Sequence, residues 1–333
     1  MVLIIAEAGI NHNGCLDTAK KLIDVAARSG ADIVKFQTFK SDELTTANAP
    51  LAEYQLKNSP ELINQKNLLQ KLELDYEAHN LLKDYSLKAG IEFLSTAFTL
   101  ESVDLLAKIG LERWKVPSGE INNIPLLRKI ASKNQPTIIS SGMATLGEIE
   151  FALKILSENN LEREKISVLH CNTAYPTPME DVNLNAINTI KNSFNINVGF
   201  SDHTDGIEAS IAAVAIGAKI IEKHITLDKN MTGPDHKASI EPNELDDLVN
   251  SIRNIEKALG NGIKVPSESE KVNIKVARKS IVASKLIQKG EEYTNKNLTI
   301  KRPGTGLPPT MYDLIIGTKS RRKYEPNELI EFD

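Results

Sequence analysis

Short apolar runs rich in Ile and Val alternate along the chain with longer stretches whose apolar residues recur at three- and four-residue spacing. The first pattern is that of strands buried on both faces, the second that of amphipathic helices. Strands are expected over 3–8, 32–38, 91–98, 113–118, 136–142, 166–171, 196–202 and 219–225, and helices over 16–30, 100–110, 146–158, 206–217 and 242–259. Several of these helical stretches end at a Gly, which suits a left-handed C-cap. Eight strand–helix units in about 260 residues fit an α/β protein of two kinds, a doubly wound open sheet or a closed (β/α)8 TIM barrel. Comparable spacing, and polar residues at the same end of nearly every strand, favour the barrel.

A long insert, 41–71, follows the second strand, where a barrel places a loop over its C-terminal face. Past Gly260 the pattern changes. Residues 261–276 are polar, contain a Pro, lack periodicity and read as a linker. Residues 277–333 show short strands and Lys-Gly, Pro-Gly and Pro-Pro turns, a small β-rich module expected to lean on the barrel or on another subunit. The expected organisation is a catalytic barrel over 1–260, a linker over 261–276 and a terminal domain over 277–333.

Composition narrows the class. Apolar residues at 41% and charged residues at 25% are those of a soluble globular protein. No run of about 18 apolar residues is present, so no membrane span is expected. A net charge of −4 without a basic block argues against a nucleic-acid partner. The apolar start breaks at Glu7 and reads as a strand, not a signal peptide. Cys15 and Cys171 make neither a disulfide framework nor a thiolate metal site, and a cytoplasmic location is expected.

Barrel enzymes work where the C-terminal ends of their strands converge. Here those ends carry Glu7, Lys35, Thr96, Lys115 with Ser118 and Glu120, Ser140 with Ser141, His170 with Asn172, Asp202 with His203, and His224. Five of the six histidines, His12, His170, His203, His224 and His236, fall at strand ends or in the loops that follow; His79 does not. His203 and His224 are one strand–helix repeat apart and should stand on neighbouring strands, a pair suited to a divalent ion such as Mn²⁺ or Zn²⁺ or to two hydrogen-bonded rim histidines. Lys35 and Lys115, inside apolar strands, suit an anion cradle with the nearby hydroxyls, a Schiff base, or two lysines reaching to the rim. Glu7 and Glu120 suit proton transfer or structural ion pairs. Asp235, after the eighth strand, suits a sugar hydroxyl or a turn imposed by Gly233-Pro234. Cys171 adjoins His170, but neighbours on a strand face opposite ways, so Cys171 is expected to be packing.

The motifs IIAEAGINHNG, VKFQTF, FLSTAF, WKVPSGE, SSGMA, LHCNTAYPTP, GFSDHT, EKHITLD and GPDHKAS, with KRPGTG in the tail, resemble those of the sialic acid synthase family over essentially the whole chain. The tail resembles the antifreeze-like (SAF) module that closes these enzymes. The resemblance implies condensation of phosphoenolpyruvate (PEP) with an N-acetylated hexose, giving a nonulosonic acid and phosphate. It implies Mn²⁺ or Mg²⁺ on His203 and His224. It places Lys35, Thr96, Lys115, Ser118 and Ser141 on PEP, with Glu7, Glu120 and Lys115 around the reacting carbons. Gln55, Tyr175 and Asp235 match sugar contacts. Arg302 matches an arginine extended into the partner's barrel, which implies a domain-swapped homodimer. Asn172 and Thr173 depart from the usual pattern there. KFQT, AEAGINHNG and GPDHKAS resemble the legionaminic acid branch, whose sugar is 2,4-diacetamido-2,4,6-trideoxymannose; N-acetylmannosamine (ManNAc) and the pseudaminic acid precursor are the alternatives. A pocket more apolar around C6 follows, with Phe36 and Phe39 as candidates. A Schiff-base aldolase and a non-catalytic sugar-binding protein are the readings from other classes.

Overall fold

The computed structural model describes residues 1–46, 49–51 and 64–331, in two compact units, Met1–Gly260 and Asn261–Asp333. In the first unit, eight strands, β1 (Leu3–Gly9), β2 (Ile33–Thr38), β3 (Glu92–Ala97), β4 (Trp114–Val116), β5 (Thr137–Ser140), β6 (Ile166–Cys171), β7 (Asn197–Asp202) and β8 (Ile220–His224), alternate with helices. Every ladder between them is parallel, and the order is β3-β2-β1-β8-β7-β6-β5-β4. The end strands β3 and β4 lie side by side and close the ring, though no ladder joins them. At their N-terminal ends Arg113 reaches Glu92 through two hydrogen bonds of 2.6 and 2.8 Å. The chain is a (β/α)8 TIM barrel at this level.

Alternation along each strand separates two environments. Val34 and Phe36 of β2 join the same buried cluster as Leu22, Ile23 and Ala26 of helix Leu16–Arg28. Lys35 and Gln37, one position out of phase, line the barrel's mouth instead. Helix starts are fixed locally, by Asp75, Thr99 and Thr145 accepting from the backbone N–H three residues on. In the insert after β2, helices Ser41–Leu44 and Gln65–Gln70 flank a small apolar cluster of Ile10, Phe39, Leu51, Leu68, Leu69 and Leu72, with Leu44 and Phe98 against it.

The second unit holds an antiparallel pair, β9 (Ser280–Ala283) and β10 (Leu298–Lys301), and a core of Ile281, Ile287, Tyr293, Leu298, Ile315, Tyr324 and Ile330. The stretch expected to be a linker contains a helix, Glu268–Ala277. Its Val272 and Val276, four residues apart, are exposed, and the capping box Ser267/Glu270 starts it. Among the described residues no helix is long and apolar enough to cross a membrane.

Candidate active site at the mouth of the barrel

Strand ends gather a cavity of about 250 Å³ lined by charged and polar side chains on its floor. Lys35 on β2 and Lys115 on β4 point inward from either side of β3, and Glu222 on β8 contacts both. Lys115 Nζ donates to both Glu222 oxygens, at 2.8 and 3.0 Å, and Lys35 Nζ is 3.6 Å from Glu222 Oε2. Lys35 Nζ also lies 2.8 Å from Glu7 Oε2 and donates to Thr96 Oγ1 at 3.2 Å. Ser201 Oγ donates to Glu222 at 2.9 Å. All four charges are buried, so their environment decides their protonation.

Burial alone would lower both lysines. At Lys35 the carboxylates of Glu222 and Glu7 outweigh burial and raise the ammonium. At Lys115 burial, helped by the charge of Lys35, outweighs Glu222 and lowers it. Glu222 is likewise disfavoured by burial, but Lys115 and Lys35 hold its carboxylate well below the usual range. Glu7 goes the other way, since burial and Glu222 overcome Lys35 and raise its carboxyl.

His203 and His224 do stand side by side, with ring centroids 5.4 Å apart. His203 Nδ1 sits 2.6 Å from the carbonyl oxygen of Asn172. A carbonyl only accepts, so the ring proton is on Nδ1 and Nε2 presents its lone pair. Burial pushes His203 down to about 4 and His224 well below its ordinary value, so both rings are neutral at pH 7. Among the described residues His224 Nδ1 is buried without a hydrogen-bond partner. Two neutral imidazoles, one held by a backbone carbonyl and one with a free buried nitrogen, fit a catalytic ion that keeps its remaining positions for water and substrate. No third protein ligand joins them among the described residues. Tyr175 packs its ring 4.2 Å from His203 and edge-on to His224 at 5.8 Å.

Glu7 Oε1, Gln37 Nε2 and His224 Nδ1 converge on Gly9. A Cβ there would lie 3.3, 3.4 and 3.5 Å from them, and the backbone takes φ +53°. Asp235 enters from the loop after β8, buried, its carboxyl pushed up to about 7 by burial and then by Glu7. Among the described residues its Oδ1 has no hydrogen-bond partner, Ser140 Oγ has only the Cys171 thiol beside it, and Glu7 Oε2 accepts no well-aligned hydrogen bond despite its closeness to Lys35. Together with His224 Nδ1 these are buried polar atoms whose hydrogen bonding is left incomplete, among the described residues, around one cavity, the mark of a site built for a polar ligand.

The expected site residues divide accordingly. Glu7, Lys35, Thr96, Lys115, Ser118, Tyr175, His203, His224 and Asp235 all line this cavity. Ser141 instead borders a neighbouring one with His170 and Asn185. Glu120 sits in the short turn Ser118–Glu120, outside the lining, where Asn123 Nδ2 donates to its carboxylate at 2.6 Å. Gln55 lies outside the described residues. Arg302 is exposed in the second unit, its Nε donating to the Ala277 carbonyl at 3.1 Å. Of the five rim histidines, His12, His170 and His236 stay out of the cavity; His170 stacks on Phe200 and bonds the Val182 carbonyl at 2.7 Å. Alternation holds at 170–171, but it turns Cys171 inward beside the floor lysines, so its side chain is part of the lining. Phe36 is in the barrel wall, stacked on Phe93, and only Phe39 of that pair reaches the cavity.

Glu222, Ser201 and Gln37 are lining residues that the sequence reading passed over. Each is two positions from a residue it did select: Glu222 from His224, Ser201 from His203, Gln37 from Lys35. The strand period of two was the available signal.

Comparison with known proteins gives consistent matches. The NeuB family model matches residues 22–264 and the SAF domain model residues 278–333. The N,N'-diacetyllegionaminic acid synthase of Campylobacter jejuni is 54% identical, with 98% of each chain covered. The enzyme of the same description from Legionella pneumophila is 45% identical over 95% of this chain and 89% of its own. In structure, the N-acetylneuraminic acid synthetase of Leptospira borgpetersenii, solved with citrate, matches at a TM-score of 0.73 and 38% identity, covering 82% of this chain and 90% of that one.

Proposed function

This chain belongs to the NeuB family, the sialic acid synthase family its motifs resemble, and on that premise we propose that it condenses PEP with 2,4-diacetamido-2,4,6-trideoxymannose to give N,N'-diacetyllegionaminic acid and phosphate. The observation that carries the chemistry is the convergence, in one buried cavity, of two lysines, two neutral histidines and polar atoms whose hydrogen bonding is incomplete. The near-full-length likeness to two diacetyllegionaminic acid synthases carries the sugar.

In this reading Lys35 and Lys115 take the phosphate and carboxylate of PEP, and Thr96, Ser118 and Ser140 offer hydroxyls to the same oxygens. A bound trianion replaces Glu222 as partner of the two ammoniums, so the site exchanges an internal ion pair for a substrate one. His203 and His224 would hold the divalent ion, Mn²⁺ or Mg²⁺, which supplies Lewis-acid polarisation of the sugar aldehyde. Carbon 3 of PEP bonds to the aldehyde carbon, whose oxygen takes a proton. Water then adds to C2, and the C2–O bond to phosphorus-bearing oxygen breaks to release inorganic phosphate. Glu7, its carboxyl raised by burial, is placed to hold or pass one of these protons. Tyr175, packed against both histidines, and Asp235, in the same cavity lining, would orient the sugar. Ser141, Gln55 and Glu120 retain the family assignment only as proposals. We take the working form to be a domain-swapped dimer with Arg302 completing the partner's site, in the cytoplasm where PEP is made.

The test is phosphate release from PEP, with the diacetamido sugar or ManNAc, with and without EDTA. Metal-dependent turnover favouring the diacetamido sugar is expected. Preference for ManNAc keeps the chemistry and moves the product to a sialic acid; metal-independent turnover removes the ion from His203 and His224.

A further inference from the structure

The cavity is two-sided. Its floor is charged, but the side built by the loops after β2 and β3 is lined by Phe39, Leu44, Leu69 and Phe98. These belong to the small apolar cluster of the insert, which is separate from the barrel core. Leu51, Leu68 and Leu72 of that cluster stay out of the cavity lining, whereas Leu44 and Phe98 are half-buried and line it, and Phe39 packs edge-on to Phe98 at 6.1 Å. PEP carries no methyl group, so this side is left to the second substrate.

Strand order says which end of that substrate meets it. Counting round the ring, β3 is four steps from β7, diametrically across an eight-stranded barrel. Phe98 directly follows β3 and His203 directly follows β7. An open-chain hexose with its aldehyde carbon beside His203 and His224 therefore extends its far end, C6, toward Phe39, Leu44, Leu69 and Phe98.

We propose that these four side chains are the specificity wall for C6 of the sugar, admitting a methyl group and disfavouring a hydroxymethyl. The proposal rests on the functional reading above. A C6 hydroxyl pressed on this wall loses water without gaining a partner. An apolar pocket discriminates against an added hydroxyl by about 10- to 100-fold in kcat/KM.

The experiment measures phosphate release for two pairs of sugars, each pair differing by the single C6 oxygen. One pair is the diacetamido-trideoxy sugar and its 6-hydroxy counterpart; the other is 6-deoxy-ManNAc and ManNAc. The wild-type chain should favour the 6-deoxy member of whichever pair it uses by about 10- to 100-fold. Leu44→Asn and Phe98→Tyr, both at half-buried positions, should lower that ratio at least about fivefold by offering the hydroxyl a partner. Leu68→Ala, buried in the same cluster but not lining the cavity, should cost stability and leave the ratio within about twofold. Gln65→Ala removes the amide that also lines this side and should leave the ratio in place.

A wild-type ratio near one, or a ratio unmoved by both wall variants, overturns the wall while leaving the condensation standing. A ratio lost in Gln65→Ala but kept in the wall variants overturns it as well, in favour of the amide. Turnover confined to the ManNAc pair refutes the choice of sugar at C4 and still reads the wall. No turnover with any of the four sugars sinks both the function and the wall.

Discussion

Removing Glu222 should expose how the cavity floor balances its charges. In Glu222→Gln, Lys115 loses the carboxylate it contacts at 2.8 and 3.0 Å, while Lys35 keeps Glu7 at 2.8 Å. At an effective dielectric of about 20, a 2.8 Å pair is worth about 6 kcal/mol before desolvation. The loss is capped, because Lys115 can shed its proton instead. Deprotonating a lysine of ordinary pKa about 10.4 at pH 7 costs about 4.6 kcal/mol, and at pH 9 only about 1.9. The variant should therefore be less stable by about 3–5 kcal/mol at pH 7. The deficit should shrink by up to about 1.4 kcal/mol per pH unit toward pH 9, since the unfolded chain then binds one more proton than the folded one and stability rises with pH. Urea titrations at both pH values, followed by the fluorescence of Trp114, the chain's one tryptophan, report on the barrel unit. Lys115→Met and the double variant complete a cycle in which the double costs less than the summed singles by at least about 2 kcal/mol. A deficit under about 1 kcal/mol at pH 7, no narrowing by pH 9, or additive singles would refute the account of the floor as a coupled buried network.

Four further outcomes follow from the same geometry. Asp235, raised to about 7 where an ordinary aspartate titrates near 3.8, binds a proton when folded that it has lost when unfolded, so stability declines between those pH values. Asp235→Asn should flatten that slope and be more stable at pH 7.5 by up to about 4 kcal/mol in denaturant titrations, and an unchanged slope would show the carboxyl to be ionised. Double substitution of His203 and His224 by Ala should abolish Mn²⁺ binding in calorimetry without loss of far-UV dichroism; retained stoichiometric binding would place the ion elsewhere. Borohydride with substrates should leave the mass unchanged, because both lysines are engaged by carboxylates, and an adduct at Lys35 or Lys115 would restore the Schiff-base reading. Gly199→Ala should lower the melting temperature by several degrees, since its Cβ would lie 2.4 Å from the Ile220 carbonyl oxygen and 2.5 Å from Leu169 inside the barrel; an unchanged melt would mean the interior yields.

All eight strands were legible as short, mostly apolar runs, and the helices over 16–30, 100–110, 146–158, 206–217 and 242–259 because one face alone is buried; those over Tyr76–Ala89, Ile124–Ala131 and Asn185–Phe194 were not named. What escaped was information about direction. His170 and His203 look alike as strand-end histidines, but odd and even positions on a strand face opposite environments, and only His203 shares the inward phase with Ser201. The same phase rule, applied to β8, would have selected Glu222 from His224 at once. Glu120 stands outside the lining for a different reason: β4 ends at Val116, and in the turn that follows its carboxylate accepts from Asn123. Ser141 obeys the same phase: Ser140 at the end of β5 faces the cavity, so its neighbour faces away, toward His170 and Asn185.

The ring has one joint unlike the others. Seven of its eight contacts are ladders of peptide hydrogen bonds, which salt hardly touches, whereas β3 and β4 meet through side-chain packing and the Arg113–Glu92 fork. That makes the joint a hinge line in the cylinder's circumference. Amides along β3 and β4 should exchange with deuterated solvent through local opening while those of β1, β7 and β8 wait for global unfolding. High salt, which weakens a partly exposed ion pair, should widen the gap between the two rates. The floor lysine Lys115 rides on one lip of that hinge and Thr96 on the other, so the width of the anion cradle is set where the barrel is easiest to open.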